Sequence, residues 1–282
     1  MIIDFHTHTF PSKIASRVIE QLATAGHIEY YSDGSAEGLA ASMKESGIDY
    51  SVNLPVMTRV DQVESVNSSL IKRKEELFEE GIITFGGLHP DYENYEEEIK
   101  KLVDAGIKGV KFHPAYQGVY INDIRYKRIV SKLSEAGLIS IFHTGWDVGY
   151  PYDDFASVKG ILELVEDVHP DKLVLAHFGG WQNWADVRKY LAGAPVWFDT
   201  AVCFGTIKYR DDGAEHAPFY LSLSEEEFAL TARTVGVEKV LFASDSPWAP
   251  QGMYVDFVKN SSLTEEEKDM VFSLNARKLL GI

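Results

Sequence analysis

The stretch MIIDFHTH, residues 1–8, is apolar at Ile2, Ile3 and Phe5 and ends on two imidazoles, His6 and His8. Seven more apolar runs follow: YSVNLPV (50–56), IITFGGLHP (82–90), IKGVKFHP (107–114), LISIFHTG (138–145), LVLAHFGG (173–180), VWFDTAV (196–202) and VLFASDSPW (240–248). Their near-continuous apolarity and β-branched content read as strands buried on both faces of a parallel sheet. Helix-like segments lie between them, over 34–47, 61–81, 91–106, 121–137, 153–168, 183–193, 222–236 and 263–281. Gly81, Gly106 and Gly137 stand where helices should stop. Thr264 with Glu267 three residues on forms a capping box for the last helix. Strand and helix alternating in this way predict an α/β fold, a (β/α)8 TIM barrel in a single domain over 1–282. The alternative is an open doubly wound sheet, which usually carries a Gly-rich phosphate loop after an early strand. No GxGxxG or Walker sequence is present.

Two connections are longer than a barrel needs. Residues 9–35 follow the first strand and residues 203–222 follow the seventh, so both are expected as lid-like segments over the active-site mouth. The second, CFGTIKYRDDGAEHAPFYLS, is rich in glycine, charge and aromatics.

With 282 residues, 45% of them hydrophobic, the chain can bury a large core. Its net charge of −16 repels phosphate backbones and argues against nucleic acid as a partner. An anionic substrate is still allowed, because a metal or a few local cations can set the potential inside a pocket. The single cysteine, Cys203, permits no internal disulfide and suits a reducing compartment. No basic-then-apolar leader precedes Asp4, and no apolar run is long enough to span a bilayer. The expectation is a cytoplasmic protein with a small-molecule substrate and no membrane partner; a homodimer is compatible with it.

Polar residues inside buried strands need a reason. Here they gather at the C-terminal ends of the runs: His6, His8, His89, Lys111, His113, His143, His177, Asp199 and Asp245. In barrels that end holds the active site. His6 and His8 project to one side because the strand period is two, and a barrel brings His143, His177 and Asp245 to the same axis. Imidazoles with a carboxylate suit Zn²⁺, and also Mn²⁺, Fe²⁺ or Co²⁺, with a position open for water. Asp199 is placed to orient a ligand. His27, His169 and His216 fall at helix ends or in loops and read as structural, and His89, before Pro90, reads the same way.

DFHTH, LAHFGGW, LFASDSPW and NARKLLG together resemble the amidohydrolase superfamily. The likeness is strongest to the branch containing aminocarboxymuconate semialdehyde decarboxylase and related decarboxylases, hydratases and lactone hydrolases. It covers essentially the whole chain, and the pairing of AHFGG with SDSPW is its specific part. The resemblance implies a distorted barrel and one divalent metal, usually zinc, held by His6, His8, His143 and Asp245. It implies His177 as general base or acid, with Asp245 also aligning the attacking water. Binuclear relatives bridge two metals through a carboxylated lysine on the fourth strand, where this chain has Lys111; the plainer reading gives Lys111 to substrate charge or to a ligand carboxylate. His113 shares the face of Lys111 and is a substrate-contact candidate. Arg59 stands where decarboxylases of the branch bind a substrate carboxylate. Trp146, with Asp147 and Tyr150 beside it, and Trp248 are candidates for the pocket wall.

These residues support a metal-dependent hydrolase of a small carboxylate, amide or lactone. A non-oxidative decarboxylase or hydratase of an unsaturated or aromatic acid is the alternative. A binding protein with a decayed site and a phosphodiesterase or DNase of the TatD type are weaker. The TatD type usually has a glutamate where Lys111 stands.

Overall fold

A computed structural model describes residues 1–205, 208, 210 and 222–282; His216 and most of the predicted second lid lie outside the described residues. The strands are β1 (Ile3–Thr7), β2 (Tyr50–Asn53), β3 (Ile82–Thr84), β4 (Gly86–Gly87), β5 (Gly109–Phe112), β6 (Ile139–Phe142), β7 (Leu173–Leu175), β8 (Trp197–Asp199) and β9 (Val240–Leu241). The helices are α1 (Ala15–Gly26), α2 (Ala36–Ser46), α3 (Gln62–Glu79), α4 (Tyr95–Asp104), α5 (Pro114–Gln117), α6 (Ile124–Glu135), α7 (Val158–Val168), α8 (Trp184–Tyr190), α9 (Glu225–Val235), α10 (Gln251–Asn260), α11 (Glu265–Asp269) and α12 (Asn275–Leu280).

Every strand pair is parallel, in two sheets ordered β1-β2-β3 and β4 through β9. The two are joined on both sides. Phe85, between β3 and β4, donates its N–H to Asn53 O at 3.0 Å. At the other seam, Phe5 N–H donates to Phe242 O, His8 N–H to Ser246 O and Asp245 N–H to His6 O, all at 2.7–2.9 Å. A parallel bridge between Thr7 and Ser246 completes that seam. The sheet is therefore a closed, distorted barrel, and the doubly wound alternative falls.

The third predicted run is one barrel position split in two. Its Gly86 and Gly87 lie against Leu102 and Met57 at distances a Cβ would violate. The side-chain amide of Asn67 on α3 both donates to Gly87 O and accepts from Gly87 N–H, at 3.0 Å each. The predicted last helix is likewise interrupted, by a π turn over Met270–Leu274, although its Thr264–Glu267 capping box is present.

Helices surround the barrel, and their inward faces form the larger apolar core with the outward residues of the strands. A second apolar cluster, including Ile3, Phe5, Val52, Phe85, Ile141 and Leu241, fills the barrel. α12 lays Ala276, Leu279 and Leu280 against it. In the stretch 9–35 the expected lid contains α1. Among the described residues no helix is long and apolar enough to cross a membrane.

Candidate active site

β1 carries a bulge. Ile3 and Asp4 pair with Tyr50 and Ser51, but Thr7 pairs with Asn53, so β1 uses one residue more than β2 over that span. A bulge shifts the side-chain alternation, which lets Phe5 pack inside the barrel while His6 and His8 turn toward its mouth. Asp4 holds the bulge: its carboxylate accepts from His6 N–H, Ser244 N–H, Ser244 Oγ and Gln251 Nε2. It thereby ties β1 to the segment that ends on Asp245. Burial pushes the Asp4 carboxyl up to about 6, against the pull of these hydrogen bonds.

The tautomers of the histidines follow from their partners. A carbonyl can only accept, so His8 Nδ1 donates to Leu54 O at 2.7 Å and its Nε2 keeps a lone pair. His6 Nδ1 donates to Asp199 Oδ2 at 2.8 Å, leaving its Nε2 free in the same sense. These two Nε2 atoms lie 3.2 Å apart. Asp245 Oδ1 is 3.0 Å from one and 3.6 Å from the other, yet accepts no hydrogen bond although buried. Two facing lone pairs and an orphaned carboxylate oxygen are a donor set that suits a cation. Lys111 Nζ donates to His6 Nε2 at 3.0 Å and so competes for one of those lone pairs. Burial lowers its pKa to about 8, against the pull of Asp199 and Asp245.

His177 and His143 form a second short pair. His177 Nδ1 donates to Ala201 O at 2.8 Å, and His143 Nε2 donates to Trp146 O at 3.1 Å. Their remaining nitrogens, Nε2 and Nδ1, face each other at 2.8 Å. Burial lowers the pKa of both rings, so as neutral groups they present lone pair to lone pair. The contact is met when the pair takes up a proton or one ring turns its lone pair to a cation. Asp245 is held below the usual carboxylate range: burial raises it, and the imidazoles of His6, His8 and His177 outweigh burial.

The ligand atoms of His6, His8 and Asp245 lie within 4.8 Å of one another. Those of His143 group instead with His113 and Asp147, because its Nε2 is turned to Trp146 O. His143 remains adjacent to the first group through His177. His177 and Asp245 both hold left-handed backbone, at φ 57° and 70°. Asp199 also accepts from His177 N–H and Ala201 N–H, both at 3.0 Å.

These groups open on a cavity of about 530 Å³ that Lys111, His113, Tyr116, Asp147, Tyr150, Trp181 and Trp248 also line. Two expected contacts are elsewhere. Arg59 forms a bidentate pair with Asp61, two residues on, and points to solvent. Trp146 packs into the helix-side core, and Trp181 takes its place on the wall. His89 accepts from Asp91 N–H in a turn, and His27 and His169 cap helices in left-handed conformation. Tyr116 and the wall supplied by α1 are absent from the sequence reading. Tyr116 stacks on His113 with ring centroids 3.9 Å apart; its place three residues beyond His113 was the available signal.

The profile of the amidohydrolase family matches residues 3–282. The chain belongs to the amidohydrolase family. It is an enzyme of that metal-dependent family, and the sequence resemblance holds over its full span. No protein of curated function matches it. Among solved structures it is similar to an uncharacterized TIM-barrel protein from Bordetella bronchiseptica, with a TM-score of 0.73, 16% identity and coverage of 99% of this chain and 98% of that one. It is also similar to 2,6-dihydroxybenzoate decarboxylase from Rhizobium, with a TM-score of 0.70, 12% identity and coverage of 99% and 98%. A third is 5-carboxyvanillate decarboxylase from Sphingomonas paucimobilis, with a TM-score of 0.65, 16% identity and coverage of 100% and 99%. A related decarboxylase from Novosphingobium aromaticivorans was solved with bound manganese. At these identities the likeness establishes the fold of this amidohydrolase, and its substrate has to be argued from the cavity.

Proposed function

We propose that this amidohydrolase is a metal-dependent hydrolase of a small carbonyl compound. The observation that carries the reading is the cluster of His6 Nε2, His8 Nε2 and the orphaned Asp245 Oδ1 at the floor of an accessible cavity. His6, His8 and Asp245 would hold a divalent metal, with His143 as the fourth ligand candidate. Zinc suits this mixed nitrogen and oxygen set; manganese, iron and cobalt are compatible. When bound, the metal supplies Lewis acidity and makes water nucleophilic near neutral pH.

The protein's own groups account for the rest. Asp199 fixes the His6 ring so that Nε2 faces the cavity. Ala201 O fixes the His177 proton on Nδ1, so Nε2 is the atom that accepts or returns a proton. Burial keeps that imidazole neutral at pH 7 and so competent as a base. Trp181 and Trp248 line the cavity and add apolar surface beside the histidines.

The decarboxylase reading draws support from the solved decarboxylases of the same fold. Against it stands Arg59, the expected carboxylate anchor, which is paired with Asp61 outside the cavity. Incubation of the Zn²⁺-loaded enzyme with lactones and esters on one side, and with hydroxybenzoates on the other, decides between them. Acid release with incorporation of solvent oxygen is expected. CO₂ release without it would overturn the hydrolase.

A further inference from the structure

The cavity lining has two main parts: the histidines with Asp245 and Lys111, and an apolar set of Phe10, Val18, Leu22, Ile28, Val56 and Val202; Thr58, Gln62, Tyr116 and Tyr150 add uncharged polar groups. In the apolar set, Val18 and Leu22 come from α1, which also carries Ala15, Ile19 and Ala23. Together these positions form one apolar stripe of α1, of which Ala15, Ile19 and Ala23 are buried while Val18 and Leu22 line the cavity.

No arginine lines this space, and Lys111 is its one lysine. Every arginine and lysine of the chain is among the described residues. The others, Thr206, Ile207, Tyr209 and 211–221, contain Asp211, Asp212 and Glu215 but no lysine or arginine. They cannot bring such a cation to the wall. The charge that the side wall does carry is negative. Asp147 is buried, 7% exposed, and lines the cavity. It accepts from Gly149 N–H at 2.7 Å, and its Oδ2 is 3.6 Å from His113 Nε2 and 3.7 Å from His143 Nε2, with no basic side chain of lysine or arginine near it. A charge stripped of water against apolar carbon is costly unless paired. An anionic group set against α1 would meet apolar carbon and at most neutral hydroxyl or amide groups, with no lysine or arginine to pair it and with the buried Asp147 carboxylate in the same cavity.

We propose that the substrate has one polar head, which faces the floor, and an uncharged apolar body, which lies along α1. The cavity selects against a second, distal carboxylate, and Asp147 and the α1 wall are the specificity-determining elements. The inference rests on the metal-centre reading above and names the substrate class within it.

The test uses binding to the full-length Zn²⁺-loaded protein by isothermal titration calorimetry. The probes are octanohydroxamate and suberic monohydroxamate, which share a metal-binding head and chain length and differ in a terminal methyl or carboxylate. Octanohydroxamate is expected to bind about tenfold or more tightly, the scale of an unpaired charge entering an apolar wall. Leu22→Arg, on the half-exposed face of α1, is expected to close or reverse the gap, and Asp147→Asn to narrow it. Equal or tighter binding of the carboxylate by the wild type overturns the proposal, as does binding of neither probe. A protein that shows the preference but hydrolyses no ester or lactone would support this inference while removing the hydrolase reading.

Discussion

His177 and Asp245 occupy left-handed backbone, which residues other than glycine seldom adopt and which asparagine and aspartate tolerate best. Asparagine is therefore the informative replacement, since it tolerates the backbone while removing the imidazole. His177→Asn is expected to retain its metal, by elemental analysis, and to lose about 10²–10⁴-fold in turnover, the usual contribution of a positioned acid or base. Near-wild-type rates would remove His177 from the proton path. Among the described residues, the hydrogen bonds of the Asp199 carboxylate run to His6 Nδ1 and to the His177 and Ala201 backbone. Asp199→Ala should weaken metal affinity by roughly 10–100-fold in a chelator competition, in line with other groups that orient ligating histidines. At this scale His6, His8, Lys111, His113, His143, His177 and Asp245 were all legible as polar residues ending apolar runs, and all line the cavity. Arg59 was misplaced because a nearer partner, Asp61, outcompetes the cavity for its guanidinium. The turn of His143 onto Trp146 O depends on a loop carbonyl, which no side-chain pattern encodes.

At the scale of elements, apolar, β-branched runs located all the strand positions. The break between β3 and β4 was hidden because it lies inside one such run, where Phe85 turns its ring over Gly109. α1 carries an ordinary helical stripe, Ala15, Val18, Ile19, Leu22 and Ala23, and was overlooked because it lies inside a long connection read as a lid. Gly145 marks the exit of β6. It sits at φ 81°, and a Cβ there would stand 2.2 Å from Trp181 N. Gly145→Ala should therefore separate the His143 loop from the Trp181 loop and lower the urea midpoint, with loss of metal affinity as a second reading. α12 presses Leu279 onto the barrel interior at 4% exposure. Leu279→Ala should cost about 2–5 kcal/mol in chemical denaturation, the range for large-to-small core changes. A cost under 1 kcal/mol would mean that α12 is not part of the core.

For the whole molecule, burial of so many imidazoles makes stability depend on pH. His6, His113, His143 and His177 all have pKa values lowered by burial. As pH falls through their ordinary value of 6.5, the unfolded chain takes up protons that the folded metal-free chain refuses, so stability falls. Asp4 and Asp147 act in the opposite sense: both are raised to about 6, so the folded state takes up their protons first and each is about half protonated at pH 6. Between pH 7.5 and 6 the four histidines outweigh these two carboxyls, and the Tm of the metal-free protein should drop. Saturating Zn²⁺ should raise Tm at pH 7.5, since ligands bound only by the folded state stabilise it. A Tm that is flat from pH 7.5 to 6 would contradict the neutral, buried state of these rings.

The seam between β1 and the segment after β9 also has a consequence in time. His6 and His8 are made first, whereas Asp245 and Ser246 follow more than two hundred residues later. At about 5–20 residues per second, a nascent chain carries its first two histidines for on the order of tens of seconds before their carboxylate partner exists. During that interval the histidines have neither the seam nor Asp245, and β1 is an unpaired apolar edge on one side. On the proposed assignment, metal capture by His6, His8 and Asp245 waits for the end of synthesis, and a chain interrupted before Asp245 would leave the ribosome with an open barrel and that site incomplete.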